Sequence, residues 1–291
     1  MHRFVLHNDE IRECSDKLLS PGQVGLLTGW GVFSTIRVSR GVLFAFERHW
    51  ARMRQDAALL RVPFPSDADY MHSRLLKLVR ANRAENATLR VVVVRNRGGT
   101  WEGMEGREFD LIALTADPTD WGAGARLAIE PKARFAGSPY AGTKILSWAL
   151  NMVSLEKAQA RGFDEAVLMN ERGEVSECTS ANIFVAEGSQ VWTPPLDSGC
   201  LPGVTRQLLL SEVHAEEVWV GEKGLRLEDL ERADEVFITS TTRDLLPVVE
   251  IQGLKIHPRG EARPRLAAAY QRYLEAYVAA RGGATAAQEG N

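Results

Sequence analysis

Apolar positions along this chain change period from one segment to the next. From Gly31 to Val38 and from Val42 to Phe46 they read as strands, with the turn Ser39-Arg40-Gly41 between them, which predicts a hairpin. From Glu47 to Leu60 the spacing becomes helical, carrying His49-Trp50-Ala51-Arg52, and Pro63 and Pro65 end it. A second helix, Asp67 to Asn82, presents Met71, Leu75, Leu78 and Val79 to a core. Leu89 to Val94 is apolar and β-branched apart from Arg90, as expected of a strand buried on both faces, and Leu111 to Thr115 offers a partner. A glycine-rich basic loop, Arg95-Asn96-Arg97-Gly98-Gly99, follows the first of these strands. Met1 to Ser20 is mixed and polar and predicts no element.

The pattern breaks at Ala116-Asp117-Pro118-Thr119-Asp120-Trp121-Gly122-Ala123-Gly124, where proline, aspartate and glycine cluster as in a linker. The expected organisation is a small domain over 1–116, a linker over 117–124, a large domain over 125–281 and a disordered tail over 282–291. Within the large domain, Lys144 opens the apolar run Lys144-Ile145-Leu146. A helix follows with Leu146, Leu150 and Val153 on one face and Gly162 as its stop. Strands are expected over Glu165–Met169, up to Glu177, and over Asn182–Val185, the first two turning at Glu171-Arg172-Gly173. A hairpin from Asn182 to Trp192, a helix from Val204 to Ala215, a strand over Glu235–Ile238 and a closing helix from Arg263 to Ala280 complete the reading.

Composition narrows the function classes. The 291 residues are 45% hydrophobic and 25% charged, ordinary for a globular protein, and leave room for a substantial core. A net charge of −3 gives no basic footprint for nucleic acid. No stretch reaches the roughly 18 apolar residues of a membrane span, and the N-terminus has no apolar core of signal-peptide length. Cys14, Cys178 and Cys200 are far apart and odd in number, which fits free thiols in a reducing cytoplasm. The histidines show no metal-ligand spacing, so no metal site is expected.

Lys144 and Glu177 are the first candidates for chemistry, because the intervening hairpin lets them face one pocket. An amine that attacks a carbonyl gains from an apolar setting, and a carboxylate opposite it suits a pyridinium nitrogen. Taken alone, such a lysine is usually a solvated side chain and such a glutamate a surface one. Two stretches suit an anion: Leu201-Pro202-Gly203-Val204-Thr205, whose helix start offers backbone N–H groups, and Thr239-Ser240-Thr241-Thr242, four hydroxyls after a buried strand. Each is also compatible with a plain turn or surface loop. Arg52 adds a group that grips phosphate bidentately.

Taken together these pieces resemble the fold-type IV family of pyridoxal-phosphate enzymes, which includes branched-chain and D-amino-acid aminotransferases and aminodeoxychorismate lyases. The matching motifs are Gly142-Thr143-Lys144, Gly162-Phe163-Asp164-Glu165-Ala166, Glu177-Cys178-Thr179-Ser180-Ala181-Asn182-Ile183-Phe184 and Leu201-Pro202-Gly203-Val204-Thr205-Arg206. Their order over about Phe33 to Val249 is specific, where any single piece would be weak. The resemblance implies an α+β (α/β) fold of two domains, a small N-terminal α/β domain and a larger one with a barrel-like sheet flanked by helices. It implies pyridoxal 5′-phosphate as cofactor and Lys144 as the catalytic lysine that bears it. Glu177 would sit at the ring nitrogen, Leu201 on the ring, and Arg52, Val204, Thr205, Ser240 and Thr241 on the phosphate. Phe33, Arg97, Trp148 and Thr242 would face substrate.

The implied activity is amino-group transfer between an amino acid and a 2-oxo acid, in a cytoplasmic homodimer without membrane or nucleic-acid partners. The implied alternative is 4-amino-4-deoxychorismate lyase, releasing pyruvate and 4-aminobenzoate. Gly31-Val32-Phe33 resembles the aminotransferase motif, but Ser34 replaces its usual glutamate, and Phe33-Ser34-Thr35 with Glu177-Cys178 leans toward the lyase. Arg97-Gly98 resembles the carboxylate-binding arginine of D-amino-acid aminotransferases, although Gly99, Thr100 and Trp101 stand where a histidine is usual.

Overall fold

The computed structural model of the chain describes residues 1–99, 106–256 and 259–287. They gather into two compact units. The first comprises Met1–Thr119, the short segment Lys144–Trp148 and the chain from Leu274 onward; the second comprises Asp120–Thr143 and Ala149–Tyr273.

In the first unit, strands β1 (Phe4–His7), β2 (Glu10–Glu13), β3 (Gly31–Ser39), β4 (Val42–Leu43), β5 (Ala87–Arg95) and β6 (Phe109–Ala116) form one sheet in the order β2-β1-β6-β5-β3-β4. A short helix, α1 (Val24–Thr28), precedes β3, and α2 (Phe46–Leu59) and α3 (Ala68–Ala81) lie between β4 and β5. Helix α3 starts where Asp67 accepts the Tyr70 N–H at 2.8 Å, the hydrogen bond an N-cap aspartate makes. Its buried residues are Met71, Leu75, Leu78 and Val79, the face that the helical spacing predicts.

Strands β3 and β5 pair antiparallel along their length, and alternation divides their side chains between two faces. Val32, Ile36, Leu89, Val91 and Val93 join α2 and α3 in the main core. Phe33, Val92 and Val94 form a second buried cluster, with Leu146 and Trp148 against it. This two-sided burial is why β5 reads as a nearly continuous apolar run.

In the second unit, β7 (Ala125–Arg134), β8 (Glu165–Asn170), β9 (Val175–Cys178), β10 (Asn182–Glu187), β11 (Gln190–Thr193), β12 (Trp219–Glu222), β13 (Glu235–Ser240) and β14 (Asp244–Ile251) form a mixed sheet curled into a half-barrel, in the order β12-β11-β10-β13-β14-β7-β8-β9. Helices α4 (Ala149–Ala160), α5 (Val204–Ser211) and α6 (Leu227–Arg232) belong to it. Its core is built from Leu127, Val167, Val175, Ile183, Val185, Ile238 and Val248 of the strands with Leu230 of α6.

Helix α4 begins at Ala149, so Leu146, expected on its face with Leu150 and Val153, lies before it, where its N–H is bonded to the Gly31 carbonyl. Leu150, 78% exposed, and Val153 are exposed on the helix, while Asn151 and Ala158 are its buried residues. The last helix, α7 (Ala262–Ala287), runs through part of the stretch from Gly282 whose composition marks it as a tail.

Candidate active site

Within the first unit, Lys144 is fixed through its backbone. Its N–H donates to the Asp56 carboxylate at 3.2 Å, and its carbonyl accepts the Phe33 N–H at 3.2 Å. One bridge further on, Ile145 pairs with Val32, and the Leu146 N–H donates to the Gly31 carbonyl at 2.8 Å. The segment therefore lies along β3 as a short added strand. This aims the Lys144 amine at aromatic surface: Nζ is 4.7 Å from the Phe33 ring centre and 5.8 Å from that of Trp148. The two rings meet edge to face at 5.8 Å.

A cation that no sequence motif marks shares this face. The Arg90 guanidinium carbon is 4.2 Å from the Phe33 ring centre, and the Arg90 side chain makes no hydrogen bond or ion pair among the described residues. Burial alone lowers its pKa. Its signal in the sequence is a single charge inside an otherwise apolar strand. Arg97, by contrast, is exposed, with its guanidinium 3.4 Å from the Gly106 carbonyl. Thr100 and Trp101 lie outside the described residues.

On the opposite face of β3, Ser34 is fully buried and joins two residues of α2. Arg52 Nη2 donates to Ser34 Oγ at 2.8 Å, and Ser34 Oγ lies 2.8 Å from His49 Nδ1. Arginine only donates, so Ser34 Oγ accepts from Arg52, and toward Nδ1 it gives or accepts a hydrogen according to the imidazole tautomer. Burial, then the charges of Arg52 and Lys144, push the His49 pKa well below its usual value. Burial draws Arg52 down to about 10, with Asp56 acting the other way. Burial raises Asp56, opposed by the Lys144 N–H and by the charges of Arg52 and Lys144.

Within the second unit, Glu177 is buried on β9. One carboxylate oxygen accepts Arg134 Nε at 3.1 Å and the other accepts the Leu201 N–H at 3.1 Å. Arg134 also donates to Asn151 Oδ1 at 3.2 Å, and Asn151 donates to the Thr179 carbonyl at 2.6 Å. Neither Arg134 nor Asn151 carries a motif that singles it out in the sequence.

Leu201 leads through Gly203 into α5, where Val204 and Thr205 are buried. A Cβ at 203 would lie 2.1 Å from Asn182 Oδ1, so a larger residue there must displace the Asn182 side chain, which donates to the Leu201 carbonyl. Being glycine, this N-cap supplies no side-chain acceptor, so the first N–H groups of α5 are left to another partner. Ser240, Thr241 and Thr242 form the β13–β14 turn, with Ser240 Oγ 3.4 Å from Thr242 Oγ1. Phe33, Lys144 and Trp148 are thus brought together in one unit, and Glu177 is hydrogen-bonded to Leu201 in the other.

The first unit thus holds an amine against aromatic rings, and the second an arginine-paired carboxylate and a helix start without a side-chain cap. Comparison with known proteins identifies the family. Residues 31–251 match the family model for class IV amino-transferases. A Methanocaldococcus jannaschii protein assigned as a branched-chain-amino-acid aminotransferase is 31% identical over 267 residues, 89% of this chain and 92% of its own. The D-alanine aminotransferase of Listeria monocytogenes is 28% identical over 96% of this chain and 97% of its own. The chain belongs to the class IV aminotransferase family.

The solved structures that it resembles share the fold. The branched-chain aminotransferase of Escherichia coli superposes with a TM-score of 0.86 at 22% identity, covering 94% of this chain and 95% of that one. The T.th. branched-chain aminotransferase complexed with N-(5′-phosphopyridoxyl)-L-glutamate gives 0.84 at 23% identity, covering 96% and 95%. A Legionella pneumophila protein assigned as a 4-amino-4-deoxychorismate lyase gives 0.81 at 23% identity, covering 89% and 96%.

Proposed function

We propose that the protein is a pyridoxal-phosphate-dependent aminotransferase that moves an amino group between an amino acid and a 2-oxo acid. The observation that carries this reading is the Lys144 amine, held by its backbone on both sides and directed at Phe33 and Trp148. The residues present fit the cofactor: an amine for an aldehyde, a buried carboxylate for a protonated ring nitrogen, and a glycine-started helix with hydroxyls for a phosphate. When bound, pyridoxal phosphate supplies an electron sink for negative charge at the substrate α-carbon.

In this reading Lys144 bears the cofactor and carries the proton at that carbon. Glu177 holds the ring nitrogen protonated, and Arg134 and the Leu201 N–H orient its carboxylate. Leu201 packs on the ring, while Arg52, Val204, Thr205, Ser240 and Thr241 hold the phosphate. Phe33, Trp148 and Thr242 shape the substrate pocket. Arg90 is better placed than Arg97 to take the substrate carboxylate, because it shares a sheet face with the Lys144 amine.

The protein is read as cytoplasmic, consistent with three free cysteines, Cys178 and Cys200 among them buried. It is read as a homodimer, because Leu150, Met152 and Val153 expose an apolar face of α4, with Phe135 and Tyr140 also exposed in that unit. No helix among the described residues is long and apolar enough to cross a membrane.

The lyase reading is favoured by one feature, the buried Ser34 that stands where the transferase motif has glutamate. Product analysis separates the two. A transferase yields a new amino acid only when an oxo-acid acceptor is supplied. Release of pyruvate and 4-aminobenzoate from aminodeoxychorismate with no acceptor, together with inertness toward every amino-acid donor, refutes it.

A further inference from the structure

Two residues with no assigned part in the chemistry meet in the second unit. Glu165, the first residue of β8, is 1% exposed. One of its oxygens accepts the N–H groups of Ala166 at 3.0 Å and Thr179 at 3.1 Å, and also the Thr179 hydroxyl. The other accepts the Ser180 hydroxyl at 2.6 Å and Arg243 Nη2 at 3.2 Å. The Arg243 side chain is itself only 6% exposed. Its Nη1 donates to the Ser180 carbonyl at 3.3 Å, and its guanidinium carbon stands 3.7 Å from the centre of the Trp121 ring.

A buried ion pair of this kind is a poor way to gain stability, because desolvation offsets most of the attraction and an apolar pair of equal volume serves the fold as well. What it supplies is orientation. Arg243 closes the hydroxyl turn: its N–H donates to the Ser240 carbonyl at 3.3 Å and to Ser240 Oγ at 3.2 Å. The next residue, Asp244, takes the left-handed backbone at φ 54°, a conformation aspartate tolerates in turns. The arginine that precedes it is clamped by Glu165, Ser180 and Trp121.

The same carboxylate reaches toward Glu177. Thr179, bound to Glu165 by its N–H and hydroxyl, gives its carbonyl to Asn151, which accepts from Arg134, which in turn donates to Glu177. We propose that Arg243 and Glu165 are positioning residues that set the Ser240–Thr242 turn to hold the cofactor phosphate and tie it to the Glu177 carboxylate. This inference rests on the cofactor reading above.

The experiment compares the affinity of the cofactor-free full chain for pyridoxal phosphate and for pyridoxal, which lacks the phosphate, alongside the melting temperature. Wild type is measured first. If it shows no preference for the phosphorylated ligand, the cofactor reading falls and this inference with it. In the double variant Glu165→Gln/Arg243→Met the fold is expected to keep its melting temperature within a few degrees. Its affinity for pyridoxal phosphate should fall roughly tenfold, the worth of one or two displaced hydrogen bonds, with pyridoxal affinity unchanged.

Arg243→Lys keeps a charge for Glu165 but loses the planar fork and the stacking. It should fold like wild type and show a smaller loss confined to the phosphorylated ligand, so it decides the matter if the double variant does not fold. A wild-type affinity ratio in the folded variants, or an equal loss for both ligands, overturns the positioning role while leaving the cofactor reading intact.

Discussion

Replacing Glu177 with glutamine separates the role of this carboxylate in the fold from its role in chemistry. Glutamine keeps an oxygen for the Leu201 N–H, but the charge facing Arg134 Nε is gone. A hydrogen bond to a charged group is worth ~1.5–3 kcal/mol. Arg134 is one-fifth exposed and keeps its bond to Asn151, so the lower end of that range applies. A loss of about 1.5 kcal/mol corresponds to a melting shift of roughly 3–6 °C in a unit of this size. Turnover should fall far more. Without an anion to keep the ring nitrogen protonated, stabilisation of the α-carbon charge is lost, and a thousandfold drop in rate requires only ~4 kcal/mol. Single-turnover absorbance with an amino-acid donor measures the rate, and thermal unfolding of the same preparation measures the fold. If Glu177→Gln loses its few degrees yet turns over within about tenfold of wild type, the carboxylate is structural and its assignment to the ring nitrogen is wrong.

The remaining predictions concern the first unit. Purified protein should be yellow, and borohydride should fix the cofactor to Lys144; label on another lysine refutes the assignment. Arg90→Ala should raise the donor concentration needed for half-saturation by roughly ten- to hundredfold, as loss of a charge-assisted carboxylate contact does, while Arg97→Ala should have the smaller effect. The reverse order of the two variants returns the role to Arg97. His49 is buried neutral, with its folded pKa depressed below 6.5, so the unfolded chain binds the extra proton as pH falls below that value. Stability should decline from about pH 6.5 downward by up to ~1.4 kcal/mol per pH unit from this residue. His49→Gln should flatten that part of the pH–stability curve, and an unchanged slope would place the titration elsewhere.

How much of this was legible in the sequence depended on whether a residue announced itself locally. The helices around Arg52 and Met71 were readable because one core dictates their periodicity, and the strand through Val91–Val94 because apolar clusters cover both of its faces. Strands β1 and β2 were not, because β2 at the sheet edge keeps charged residues and the inner partner of β1, β6, lies far along the chain. Helix α4 shows the limit of periodicity, which finds an apolar stripe without saying what covers it. Leu150 and Val153 do lie on one helix, but Leu146, read with them, is drawn into pairing with β3 instead.

The candidate site divides along the same line. Lys144, Glu177, Leu201 and the hydroxyl turn stood in motifs whose order could be compared with a family. Arg90, Arg134, Asn151 and Arg243 did not, because each acquires its role from a partner brought near only by folding. Arg90 is placed against Phe33 by strand pairing, since its backbone partner Thr35 lies two residues from Phe33 on the same face of β3. Arg243 meets Glu165 across 78 residues of sequence. Groups that touch the reacting atoms are few and keep their local context. The residues that aim them are drawn from whichever strand or turn the fold brings alongside, and a single sequence gives such pairings no local mark. The second kind is therefore where mutagenesis on this chain will be most informative, since their effects follow from geometry peculiar to it.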